Sequence, residues 1–329
     1  MPDNMYEEIL TQIKPDSVFL VTGGAGFIGS NLCNVLVRHG FEVRCFDDLS
    51  NGFRKNIEDL LEYPNFQFIE DTIVDFNACL KATEGVDYVL HQAAWGSVPR
   101  SVQYPLIYEQ INIQGTLNIM EACRQNSVRR LVYASSSSVY GDHPKLPKVE
   151  GVEGRLLSPY ALTKSVDEQY GRLYSSLYAV ETCGLRYFNV FGRNQNPLGS
   201  YAAVIPRFIC AALKDEPVQI HGDGTQSRDF TYIANVIQAN LKACLAPSSI
   251  SGNVYNIAAG SRTTILDLYQ MICDQLGATP RMEFVDTRPG DIKHSFASIE
   301  RAGEDLGYKP THDLAEGISL TIDWYRKSY

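Results

Sequence analysis

The stretch that most constrains this chain is "VFLVTGGAGFIGSNL", residues 18–32. An apolar, strand-like run ends at Gly23. Gly23, Gly26 and Gly29 then follow at Gly-x-x-Gly-x-x-Gly spacing, and the pattern changes to a helix from Gly26 to His39 with Ile28, Leu32, Val35 and Leu36 on one face, closed by Gly40. Glycines at a strand-to-helix turn allow a tight bend and a close backbone approach to a pyrophosphate, which then sits at the helix N-terminus. The same rhythm continues through "FEVRCFD", "FQFIE", "VDYVLHQAA", "RRLVYASS" and "VETCGLRYFNV", with helical stretches between most of them. Such alternation argues for βα units around a parallel sheet, and near-continuous apolar strands for a sheet covered on both faces.

The expected class is therefore α/β, a Rossmann-type doubly wound parallel sheet with a smaller C-terminal substrate-binding lobe. Beyond Phe191 the rhythm breaks into the Gly-, Pro- and Asn-rich "GRNQNPLGSYAAVIP" and the turn-forming "HGDGTQSRDF". The division expected is a dinucleotide-binding unit over residues 1–190 and a lobe over 191–329, with a return to the sheet near 235–260 around "SGNVYNIAAG". The second strand ends in Asp47, 18 residues past Gly29. An acid at that exposed strand end is placed to take the adenosine ribose hydroxyls, which selects NAD over NADP. Gly23, Gly26, Phe27, Ile28 and Gly29 are the expected phosphate loop, and Asp71, at the end of "FIEDT", is a candidate for the adenine edge.

Composition narrows the class further. Net charge is −9 with no basic stripe, which argues against a nucleic-acid partner. No apolar run reaches membrane-spanning length, and "MPDNMYEEILTQIK" lacks a basic segment followed by an apolar block, so the reading is cytoplasmic, with no membrane partner. The eight cysteines form no Cys-x-x-Cys and mostly sit in apolar contexts, as reduced, buried thiols would; the six histidines have no ligand spacing, and no metal is expected.

"SPYALTK" places Tyr160 four residues before Lys164. Ser158 is a good N-cap, Pro159 suits the first helical position, and i and i+4 share a helix face. A phenol is a poor base at neutral pH, but a nearby ammonium and a positive nicotinamide ring favour phenolate. Ahead of this pair, "ASSSSVYGD" sets Ser135 to Ser138 at a strand end, where open α/β sheets face their ligand crevice.

With the glycine loop, the serine strand end and the Tyr160/Lys164 pair in this order, the chain resembles the extended short-chain dehydrogenase/reductase family from about Ser17 to Tyr325. The resemblance implies that Tyr160 is the acid/base, that Lys164 binds the nicotinamide ribose, and that Ser136 hydrogen-bonds the reacting hydroxyl. Through "HQAAWGSVPRS", "SSSSVYGDHP", "LRYFNVFGRNQNP", "YAAVIPRF", "GDGTQSRDFTYI" and "RPGD" it looks most similar to nucleotide-sugar 4-epimerases, the branch acting on UDP-N-acetylhexosamines. Relatives that dehydrate or decarboxylate carry an acid just before "VYG"; Ser137 and Ser138 stand there instead.

The resemblance further implies a UDP-sugar site. Gly96 and Ser97 border the sugar with Ser136, Ser137 and Ser138. Asn189, Arg228 and Arg288 meet the diphosphate or sugar, Arg193 is a further phosphate candidate, and the backbone at Val204 and at Gln219 to His221 lines the uridine. Ser295 walls the pocket near the sugar 2-substituent, where its small size leaves room for an acetamido group. Trp95 is less usual for the branch. The expected reaction is NAD-dependent interconversion of UDP-GlcNAc and UDP-GalNAc through a 4-keto intermediate, with their uronic acids as further substrates. The alternatives are a UDP-glucuronate 4-epimerase, a reductase that releases NADH, and a non-catalytic NAD-binding regulator. A homodimer is expected through two helices per subunit, with Tyr170, Tyr174 and Tyr178 as outward candidates.

Overall fold

The computed structural model describes residues 5–198, 202–287 and 293–328. Six apolar runs become the strands β1 (Val18–Thr22), β2 (Glu42–Phe46), β3 (Phe66–Ile69), β4 (Tyr88–His91), β5 (Arg130–Ser136) and β6 (Thr182–Tyr187). A seventh, β7 (Asn253–Ile257), lies within "SGNVYNIAAG" and pairs with β6. All neighbours are parallel and the order is β7-β6-β5-β4-β1-β2-β3, so the chain reverses direction across the sheet between β1 and β4. In such sheets the ligand crevice opens at that switch point, beyond the strand C-termini.

Alternation of side chains along each strand divides the core in two. Phe19, Val21, Leu90, Val132 and Leu185 join one buried cluster; Leu20, Val89, Leu131 and Tyr133 join the other. The first cluster is covered by the helices α1 (Phe27–Arg38) and α6 (Ile233–Leu245). The second is covered by α2 (Phe76–Ala82), α4 (Gly115–Gln125) and α5 (Pro159–Tyr178), and α3 (Val98–Gln103) packs against α5 and borders the cavity at the strand C-termini. The N-terminal turn Glu7–Leu10 lies against α6, with Tyr6 donating to the carbonyl of Ala234 at 3.2 Å.

Past β6 the chain forms three two-stranded pieces: Val190–Phe191 with Thr231–Tyr232, Ser227–Arg228 with Thr263–Thr264, and Val218–His221 with Met282–Val285. The helices Val204–Leu213, Ile265–Leu276 and Leu314–Ser328 pack beside them. No helix among the described residues is long and apolar enough to cross a membrane.

The tyrosine stripe on α5 needs correction. Tyr174 is buried in the second cluster and donates to Glu121 Oε2 at 3.2 Å, Tyr170 is packed against that cluster, and only Tyr178 is exposed. The outward face of α5 carries Leu162, Leu173 and Leu177 instead.

Candidate active site

A cavity of about 1060 Å³ opens at the C-terminal ends of the strands. Its first wall is the turn between β1 and α1. Gly23 has φ +64°, and a Cβ there would come within 2.7 Å of Ala93 Cα; one at Gly29 would come within 2.1 Å of the Gly23 carbonyl. The turn can be this tight only because these positions lack side chains. Gly26 caps α1 with extended backbone and no side-chain cap, so the helix start is open to an anion. Gly23, Gly26, Phe27, Ile28, Gly29, Asp47 and Asp71 all line this wall.

Asp47 is not the exposed acid expected. It is 8% exposed, with Oδ2 accepting from the Ala25 N–H and Oδ1 from the Leu49 N–H, both at 2.9 Å. Burial raises its carboxyl above the usual range, and those two backbone donors pull it back. Each oxygen keeps a second lone pair, and the residue borders the cavity. Asp71 is exposed and accepts from the Thr72 N–H at 2.8 Å.

The opposite wall carries the serines and α5. Ser158 caps α5, accepting from the Ala161 N–H at 3.1 Å, which sets Tyr160 in the first turn where the helix dipole favours negative charge. Tyr160 is half-buried and lines the cavity, its ring 6.3 Å edge-on from Tyr108. Lys164, 2% exposed, lines the same space one turn later and donates to Asp167 Oδ2 at 3.0 Å. Ser136 Oγ accepts from the Ser138 N–H (3.2 Å) and from the Ser138 hydroxyl (3.0 Å), which leaves its own proton to donate. Ser135 borders the cavity but is already committed, since its hydroxyl donates to Glu168 Oε1 at 2.5 Å.

Gly96, Ser136, Ser137, Ser138, Asn189, Arg228 and Ser295 join Tyr160 and Lys164 around this one space. The Arg228 guanidinium is steadied by the carbonyls of Ser227 (3.0 Å) and Lys293 (3.2 Å). Ser97 does not line the cavity: its hydroxyl caps α3 by accepting from the Arg100 N–H. Val204, half-buried at the start of its helix, and Gln219, exposed on its short strand, also lie off the lining. Arg193 is held by Asn31 (2.6 Å) and Asn34 (2.9 Å) and does not border the cavity. Arg288 lies outside the described residues. Trp95 lines the wall, sandwiched by contacts: Arg100 sits over its ring at 3.4 Å, Tyr108 meets it edge-on at 5.8 Å, and its indole N–H is buried without a partner among the described residues.

The family model described as "NAD dependent epimerase/dehydratase family" matches residues 19–258. The chain belongs to this family. Among its relatives, a putative UDP-glucose 4-epimerase of Methanocaldococcus jannaschii is 38% identical over 94% of this chain and 99% of that protein. The solved UDP-N-acetylglucosamine 4-epimerase of Methanobrevibacter ruminantium, in complex with UDP-N-acetylmuramic acid, is 37% identical, covers 95% of this chain and 99% of its own, and superposes with a TM-score of 0.91. The UDP-glucuronic acid 4-epimerase of Bacillus cereus, with UDP-glucuronic acid and NAD, is 33% identical over 95% of this chain and all of its own, with a TM-score of 0.87.

NAD is the cofactor of this family member, and the cavity fits it. The glycine cradle, an uncapped helix start, an acid at the end of β2 and a buried lysine on the far wall form one continuous surface. Sequence reasoning missed the second layer behind that surface. Glu168 accepts Arg186 through both oxygens (2.8 and 2.7 Å) as well as Ser135, and Asp167 backs Lys164. Burial pushes Asp167 up to about 7, with Lys164 holding it down. His91 bridges Thr22 (2.6 Å) and Thr116 (3.0 Å), and burial, then Lys164, pushes it down to about 3, so it stays neutral. The two acids in "KSVDEQ", one turn past Lys164, were the available signal.

Proposed function

We propose that this epimerase interconverts UDP-GlcNAc and UDP-GalNAc at C4, with residues 191–329 supplying most of the UDP-sugar lobe. The coarse activity, NAD-dependent 4-epimerisation of a UDP sugar, is supported by relatives of that activity covering nearly the whole chain. Bound NAD, held by the Gly23–Gly29 turn, Asp47 and Lys164, would supply the hydride acceptor and donor for C4 of the sugar. The residues do the rest. Tyr160 Oη takes the proton of the sugar 4-hydroxyl and later gives it back. Ser136 donates to that oxygen and holds it against Tyr160. Lys164, fixed in the cavity wall, favours the phenolate. Arg228, with its guanidinium already oriented, suits a diphosphate oxygen.

The observation that carries the choice of sugar is Ser295, a small residue lining the same cavity as Tyr160 and Ser136. An acetamido group adds several heavy atoms, and a close-packed wall does not yield that room without strain. Ser295→Tyr is therefore expected to lower kcat/KM for UDP-GalNAc about tenfold or more while sparing UDP-Gal. Equal turnover of UDP-GalNAc by variant and parent would remove Ser295 as the gate.

A second reading, that the matching uronic acids are also accepted, is favoured by Lys148. It is 4% exposed, lines the cavity, and donates its ammonium to the carbonyl of His143, leaving further N–H bonds for a carboxylate. For assembly, we propose a homodimer through the outward face of α5 and the short helix Pro105–Tyr108 that packs against it, where Leu106, Leu162, Leu173 and Leu177 are exposed.

A further inference from the structure

Lys164 has the cavity on one side and a carboxylate on the other. Asp167, three residues further along α5, is 1% exposed, does not border the cavity, and accepts the Lys164 ammonium on Oδ2 at 3.0 Å. Its other oxygen, Oδ1, is buried with no hydrogen-bond partner among the described residues. Taking two charges out of water costs several kcal/mol per ion, and an apolar pair of similar volume commonly holds a helix at least as well. The pair is therefore poorly explained by stability alone.

The groups around Asp167 come from four elements. On α5 itself are Lys164 and Glu168, and the charge of Glu168 is matched by the two-pronged Arg186 of β6. From α4 comes the neutral hydroxyl of Thr116, which favours the ionised form of Asp167. From β4 comes His91, neutral because of burial and Lys164. From β5 comes Tyr133, whose hydroxyl burial keeps protonated. Among the described residues, Asp167 is the ion-pair partner of Lys164.

We propose that Asp167 is a positioning residue for the reaction: from behind the cavity wall it fixes the Lys164 ammonium and sets how much of that positive charge reaches Tyr160. The inference rests on reading Tyr160 as the base. An ionised Asp167 anchors the ammonium and offsets its field. Neutralising Asp167 leaves the field uncompensated, so the phenolate of Tyr160 forms at lower pH. The anchoring also matters, since misplacing a catalytic group by a fraction of an ångström lowers the rate of the chemical step more than it changes substrate affinity.

The test uses the holoenzyme and two readouts. One is the pH dependence of kcat/KM for UDP sugars. The other needs no turnover: near-ultraviolet tyrosinate absorbance is titrated, and each background is compared with the same background carrying Tyr160→Phe, so that only Tyr160 remains in the difference. In Asp167→Asn, the Tyr160 signal and the acidic limb of kcat/KM are expected to move together to lower pH by about half a unit to one unit, with kcat at the optimum down about tenfold and KM nearly unchanged. Asp167→Glu, which keeps the charge, is expected to return the limb to the parent position. If Asp167→Asn does not fold, Thr116→Val, which weakens the ionised form of Asp167, is expected to give a smaller shift of the same sign.

A purely structural Asp167 predicts a lower melting temperature with both pH profiles in place, and that result overturns the inference. A parent enzyme in which Tyr160→Phe removes no titrating signal near the working pH overturns the reading of Tyr160 as base, and this inference with it. A parent that titrates normally while the Asp167 variants do not differ sinks the inference alone.

Discussion

Asp47 shows how a residue legible in type can be misread in setting. Its place 18 residues past the last loop glycine was readable from local spacing. Its burial was not, because the cover comes from a later segment. Phe53 N–H and Asn56 Nδ2 both donate to the Ala25 carbonyl (3.0 and 2.9 Å), drawing residues 50–56 over the strand end, and a Cβ at Gly52 would sit 2.8 Å from Asp47 Oδ1. The carboxylate thus both faces the cavity and ties down the phosphate loop. Asp47→Ala leaves the Ala25 N–H without its acceptor, which costs about 1–3 kcal/mol on top of any loss of NAD. A melting curve of the cofactor-free protein checks this; an unchanged melting temperature would return Asp47 to a pure ribose contact. Tyr160 and Lys164 were legible for the opposite reason: an i, i+4 pair behind an N-cap depends on nothing outside its helix. Asp167 escaped notice because its meaning depends on burial beneath α4 and β4, which no local pattern records.

At the level of elements, the strands and the β1–α1 turn were readable because their signals are local: apolar runs, period and glycine spacing. The helix faces were less so. Tyr170, Tyr174 and Tyr178 recur every four residues, but each step of four advances about 40° around a 3.6-residue helix. The row therefore turns from the core at Tyr174 to solvent at Tyr178. In the β1–α1 unit the glycines divide by geometry. A methyl at Gly29 would lie 2.1 Å from a backbone carbonyl that cannot move without opening the turn, whereas Gly40, at φ +87°, has nothing within 4 Å of its virtual Cβ. Gly29→Ala is expected to destabilise by about 3 kcal/mol or more and to abolish NAD retention. Gly40→Ala, which meets only left-handed backbone strain, is expected to cost about 1 kcal/mol and keep the cofactor. Paired melts and cofactor absorbance after gel filtration separate the two; a Gly29→Ala protein that elutes with NAD contradicts the close-approach argument.

For the whole molecule, the sheet order sets the acids Asp47 and Asp71 on one side of the β1/β4 switch and Tyr160, Lys164 and the serines on the other, so a dinucleotide bound across the switch would span both groups. The lobe was harder to read, because its two-stranded pieces pair segments far apart in the chain, Val218–His221 with Met282–Val285. The exposed leucines of α5 and of the helix Pro105–Tyr108 give assembly a test. Leu106→Glu with Leu177→Glu places charge on residues that are 81% and 66% exposed, so folding is little affected. Light scattering is expected to fall from twice the chain mass to one chain mass; a parent already monomeric at micromolar concentration rejects the dimer. Epimerisation of an acetamido sugar on one retained NAD, with Tyr160 handling the proton, would keep the C4 hydrogen inside the site throughout. This is tested most directly with UDP-GlcNAc carrying deuterium at C4, no added cofactor, and product analysis by mass spectrometry. The expected product is UDP-GalNAc with the deuterium retained at C4. Deuterium lost to solvent, or no conversion where UDP-Glc is converted readily, contradicts it.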